Sequence, residues 1–238
     1  MNPHAPFQAH GPSHLAALTV IGLVGVGLIA QSRRSPGGRL TLFCERFLAI
    51  ALLALPFGKL VVQLIRGTFD LQAALPFHYC DLAAMAGAAA LWSHRQLLCE
   101  ITYFFGLAGT LQALITPALQ NDFPDPRFWL FFGGHGAVVI AAFYVVFGLR
   151  HAPQPGAVRR VMIVMTIYAV TVGLLNALLG TNYGFLCAKP PTASLMDYIG
   201  PWPWYVGSLW LLGLVFYFVL NLPFVLQRRR AASTSGDA

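Results

Sequence analysis

A chain of 238 residues that is 57% hydrophobic and only 10% charged, with a mean hydropathy of +0.66, lies outside the range of soluble domains and reads as a polytopic membrane protein. Its net charge of +7 does not point to nucleic acid, because the arginines occupy short loops between apolar runs and form no basic face. Cys44, Cys80, Cys99 and Cys187 lack the paired spacing of a disulfide framework or a zinc site, so any sulfur chemistry rests on single thiols.

Residues 1–13 form an extracytoplasmic lead segment that carries histidines but no Lys or Arg. The apolar runs that follow cover 14–31, 43–65, 76–93, 97–115, 128–149, 159–179 and 202–224. Each approaches the roughly 20 helical residues that cross a hydrocarbon core. The first run is followed, not preceded, by basic residues, which suits an anchor and not a cleaved signal peptide. The expectation is an all-α membrane protein, a single bundle of seven transmembrane helices over 14–226. A disordered cytoplasmic tail occupies 227–238.

Basic residues alternate from loop to loop. Arg33, Arg34, Arg39, Arg95, Arg150, Arg159, Arg160 and Arg228 to Arg230 fall on one side, and Arg66, Arg127 and Lys189 on the other. The positive-inside rule then places the amino terminus outside and the carboxyl terminus in the cytoplasm. A cell membrane, the bacterial inner membrane, is the expected location.

Ionisable groups inside a membrane are costly, so each is a functional candidate until a structural partner is found. In the third run Pro76 suits the first helical turn. A rise of about 1.5 Å per residue then puts Cys80 roughly 6 Å, and His135 of the fifth run roughly 10 Å, from the outer ends of their helices. Lys59, Gln112 and Asn176 fall in the same outer layer, and the loop after the sixth run adds Asn182 and Tyr183. The inner half has less, with Glu45 and Arg46 as a pair and Glu100 at the start of the fourth run.

Each residue also has a purely structural reading. Cys80 fits a buried small hydrophobe, or a disulfide with Cys187 on the oxidising side. The glycines around His135, in FFGGHGAVV, suit close helix packing as well as ligand approach. Asp81 with Lys59 reads as a buried ion pair, Asn176, Asn182 and Gln112 as interhelical glue, and His78 as an interfacial residue.

Three chemistries are open to this set. A thiol becomes a nucleophile beside a base, and His135 is the candidate base for Cys80. His78 is about 200° from Cys80 around a helix and faces away from it. Acyl transfer on lipids is one reading, transport of a small solute or lipid along Lys59, Asp81 and the histidines is a second, and metal-dependent lipid hydrolysis is a third. The metal reading is weakened because HxCD lacks well-spaced histidine ligands, and the transport reading because polar residues do not continue across the bundle. No cofactor and no metal is expected.

The words LPFHYCDLAAMAGAAAL, YFFGLAGTLQALITP, FPDPRFWLFFGGHGAVV and NALLGTNYGFLCAKPPTASLMDYIGPWPWY resemble the YwaF-like bacterial integral membrane proteins, which are related to the eukaryotic transmembrane protein 164 family. The resemblance covers the third to seventh runs and implies a seven-helix membrane fold. It also implies cysteine-dependent acyl transfer onto lysophospholipids or between phospholipids, with the nucleophile carried over onto Cys80 and its partner histidine onto His135. Lys59, His78, Asp81, Gln112, Asn176, Asn182 and Tyr183 are then the expected supporting residues.

Overall fold

In the computed structural model, which describes residues 6–190 and 195–236, secondary structure among the described residues is helical apart from an isolated bridge between Pro6 and Asn121. The chain, read from sequence as one bundle, groups into two compact units, Met1–His151 and Ala152–Ala238. The first holds α1 (Pro12–Arg34), α2 (Arg39–Arg66), α3 (Tyr79–Ser93), α4 (Gln96–Ile115) and α5 (Pro126–Gly148). The second holds α6 (Ala157–Leu179) and α7 (Trp204–Gly236). Of the lead segment, residues 1–5 lie outside the described residues.

Among the described residues, six helices are long and apolar enough to cross a membrane: α1, α2, α4, α5, α6 and α7. The exception is α3, with 15 residues, which spans about 22 Å at the usual rise. Its run, expected to be helical from residue 76, starts at Tyr79. The cause is local: the Asp81 carboxylate accepts from the backbone N–H of His78 at 3.2 Å, a cap that fixes His78 just outside the helix. Pro76 therefore lies before the helix and not in its first turn. At the other end of the chain, α7 continues to Gly236, so residues 227–236 are helical where a disordered tail is expected. Arg228 to Arg230, Ala231 and Ala232 are good helix formers, and Arg228 donates to the Pro153 carbonyl at 2.7 Å.

Within the first unit α2, α3, α4 and α5 pack on one another, and α1 packs on α5. Small residues permit these approaches. A Cβ on Gly136 would lie 2.8 Å from Ile21 of α1, and one on Gly106 2.8 Å from Ala142 of α5. His14, fully buried, accepts from the His10 N–H at 2.8 Å and bonds the Leu114 carbonyl at 2.7 Å, which ties the start of α1 to the end of α4. The middle of α4 widens into a π-turn at Gly106–Thr110. There Tyr79, the first residue of α3, lays its ring over Gly109 and stacks on Phe105 with centroids 4.5 Å apart. This wedge sets the position of the first turn of α3.

At the arginine-rich end a polar network joins α2 to α5. Buried Glu45 accepts from the Tyr144 hydroxyl at 2.9 Å and meets His94 Nε2 at 3.0 Å. The expected pairing of Glu45 with Arg46 does not form, since adjacent helical residues point about 100° apart. Arg46 instead donates to the carbonyls of Leu91 and Trp92 at 3.3 and 3.2 Å and lies 4.2 Å over the Trp92 ring. His151, in the loop after α5, donates from Nδ1 to Gln96 Oε1 at 3.2 Å, and Gln96 donates to buried Glu100 at 3.1 Å.

Burial, and then neighbouring His94, hold the His151 imidazole below its ordinary value of 6.5. A histidine with a depressed folded pKa contributes stability that is full above the unfolded value and is lost as pH falls through the folded one. His151→Gln is expected to flatten the loss of stability between about pH 7 and pH 5, measured by thermal unfolding in detergent. A second substitution tests the wedge. A Cβ on Gly109 would overlap the Tyr79 ring at Cε1, so Gly109→Ala is expected to cost about 1–3 kcal/mol through overpacking, read as a lowered unfolding temperature.

Candidate functional site

A cleft of about 270 Å³ opens in the first unit where α2, α3 and α5 meet, and it is lined by Lys59, Cys80, Asp81, Arg127 and His135 together with apolar side chains. The larger cleft, of about 640 Å³, lies between α6 and α7 and carries no thiol, imidazole or carboxylate. Chemistry therefore points to the smaller one.

Cys80 is the second residue of α3. Because the helix begins at Tyr79, the thiol lies within one residue of the helix end and not about one turn inside it, as the expected start at 76 implies. The leading N–H groups of a helix have no intrahelical acceptor and carry the positive end of its dipole. Cys80 and Cys187 are both free thiols.

Asp81 is buried and serves two partners. One carboxylate oxygen accepts from His78 N, and the other lies 3.8 Å from Lys59 Nζ. Lys59 is half exposed, so its ammonium reaches the cleft opening while Asp81 stays inside. His78 contributes its backbone to this cap and is not among the lining residues.

His135 projects from α5 with its ring stacked on Phe131, centroids 4.3 Å apart, and Nδ1 2.9 Å from the Phe131 carbonyl oxygen. A carbonyl can only accept, so Nδ1 carries the proton and Nε2 of the neutral ring keeps a lone pair. The flanking glycines divide their work: Gly136 admits Ile21 of α1, while Gly134 lines the cleft. The packing reading thus holds for Gly136.

The other expected residues fall elsewhere. Gln112 is exposed on α4 and is not among the lining residues. Asn176, Asn182 and Tyr183 belong to the second unit, where they build the loop after α6. Asn176 accepts from Tyr183 N and from the Thr181 hydroxyl, each at 2.8 Å, and donates to the Tyr183 carbonyl at 2.9 Å. Asn182 accepts from the N–H groups of Cys187 and Ala188, both at 3.0 Å. Tyr183 is fully buried. Sequence reasoning missed Arg127, which reads as a topology marker in a loop yet lines the cleft beside the reactive groups. Its position eight residues before His135, two turns along the same helix, is the signal that could have found it. Among the described residues, no three His, Cys, Asp or Glu side chains are grouped so as to hold a metal ion.

The family model described as the TMEM164 family matches residues 9–221. The chain belongs to the TMEM164 family. No curated protein and no solved structure matches it. The match to the TMEM164 family takes in all the elements that line the cleft, from α2 to α5.

The tautomer follows from geometry and can be read directly. Nitrogen-15 spectra of histidine-labelled protein, with the signal assigned through His135→Gln, are expected to show protonated Nδ1 and unprotonated Nε2 at neutral pH. The reverse pattern would remove Nε2 as an available base.

Proposed function

We propose that this protein is a membrane acyltransferase that moves fatty acyl groups to or between phospholipids through a thioester on Cys80, with His135 as its base. The reading includes seven crossings, with the amino terminus outside, the carboxyl terminus in the cytoplasm and the protein in the bacterial inner membrane. Short α3 completes its crossing through the irregular segment before Tyr79, a geometry tolerated at membrane depth where protein surrounds it.

The observation that carries the proposal is that a thiol and an imidazole, far apart in sequence and on different helices, line one cleft whose remaining walls are largely apolar. The thiol meets the ester carbonyl of a donor phospholipid as its proton passes to His135 Nε2. The carbon–sulfur bond forms, the carbon–oxygen bond breaks, and the departing glycerol oxygen takes the proton back from Nε2. An acceptor lysophospholipid hydroxyl then loses its proton to Nε2 and attacks the thioester carbon, and Cys80 leaves as thiolate and is reprotonated. No oxidant, reductant or cofactor enters this balance. The start of α3, the positive end of its dipole, is suited to the oxyanion that forms at each attack.

Apolar lining from Pro56, Ala84, Leu119, Leu130 and Val138 suits an acyl chain better than a hydrated solute. The same activity is implied by the resemblance described above. In vesicles holding purified protein and two phospholipids with distinguishable acyl chains, Cys80→Ala is expected to abolish exchange. His135→Ala is expected to slow it by about 10²–10⁴-fold, with unfolding temperatures unchanged in both. Exchange at the parent rate in Cys80→Ala would rule out the covalent route.

A further inference from the structure

The charged groups of the cleft do not balance. Lys59 and Arg127 are cations and Asp81 is the carboxylate among the lining residues. Asp81 is already engaged by Lys59 and by His78 N. Arg127 is exposed, and among the described residues no hydrogen bond or ion pair engages its guanidinium. Nearby Asp125 forms no ion pair with the guanidinium among the described residues; its carboxylate caps the Arg127 backbone N–H at 2.7 Å and accepts from Asn121 at 2.8 Å.

The free cation stands at one end of a graded surface. Along α5 the lining residues run from Arg127 through Leu130 and Phe131 to Gly134, His135 and Val138. Arg127 and His135 are eight residues apart, about 12 Å along the axis. A ligand lying along these residues has an anionic group at the Arg127 end and a reactive carbonyl beside His135, with apolar parts against Leu130, Phe131 and Val138. A planar guanidinium offers paired donors suited to phosphate oxygens.

We infer that Arg127 is the specificity-determining residue of the cleft, seating the phosphate of a glycerophospholipid so that its acyl ester lies beside Cys80. This inference rests on the lipid-acyl reading above and adds a recognition residue to it. Neutral glycerides present no anionic group to the guanidinium and are therefore poorer ligands. Lys59 is a lesser contributor, since its charge is offset by Asp81.

The test measures binding and needs no turnover. Full-length Cys80→Ala protein in detergent is titrated with dioleoylphosphatidylglycerol and, separately, with dioleoylglycerol, and the adducts are counted by native mass spectrometry. Phosphatidylglycerol is expected to bind about tenfold or more tightly than dioleoylglycerol, the scale of one charge-assisted contact. Adding Arg127→Ala is expected to erase that difference while dioleoylglycerol binding stays constant, which also reports that the fold is intact, and Arg127→Lys is expected to restore part of it.

Equal binding of the two lipids, or phosphatidylglycerol binding unmoved by Arg127→Ala, would overturn the inference and leave Arg127 as an interfacial anchor. Displacement of the lipid by millimolar inorganic phosphate with the same dependence on Arg127 would overturn it as well, by making free phosphate the ligand. Because Cys80 is absent throughout, loss of acyl exchange and loss of phosphate recognition are separate failures.

Discussion

Asp81 has to satisfy two partners from different elements, and much of the candidate site follows from that. Its carboxylate accepts from the His78 N–H, which decides where α3 begins, and it holds Lys59 of α2 at 3.8 Å. A helix that began at Pro76 would place the thiol about one turn inside it. Starting at Tyr79 instead, it presents Cys80 in its first turn, beside the N–H groups that no carbonyl of the helix can reach. Tyr79 completes the placement from the other side, through the space left by Gly109.

The two ends of the first unit use polar groups differently. At the cleft, polar groups are left available: Nε2 of His135 is free of the proton that the Phe131 carbonyl holds on Nδ1, and among the described residues no hydrogen bond or ion pair engages the Arg127 guanidinium. At the arginine-rich end, Glu45, His94, Tyr144, His151, Gln96 and Glu100 are bound to one another. Satisfied polar networks of that kind rigidify the packing of several helices. One end is built for stability and the other is open to a ligand.

Much of the helical architecture is legible in the sequence, because apolar runs of about 20 residues have few alternatives. The start of α3 is not legible in that way. Hydropathy takes no account of a carboxylate capping the backbone three residues upstream, so the run reads as beginning at Pro76. Cys80, His135, Asp81 and Lys59 can be selected from sequence because intramembrane polar groups are rare and their depths coincide. Gln112 shares that depth, but depth says nothing about which side of a helix a residue faces, and its side chain lies outside the cleft. Asn176 and Asn182 have local partners within a loop whose turns the sequence does not reveal. Arg127 was hidden by a correct rule, since a basic residue near a helix end usually sets topology.

The central claim is a covalent acyl intermediate on one thiol, and it is open to direct inspection. Purified protein incubated with phospholipid, denatured in acid and digested should yield the peptide carrying Cys80 with its mass raised by one fatty acyl group, and neutral hydroxylamine should remove that mass. The same adduct should accumulate when lysophospholipid acceptor is withheld and vanish when it is supplied. An unmodified Cys80 peptide under conditions where acyl exchange proceeds would contradict the account.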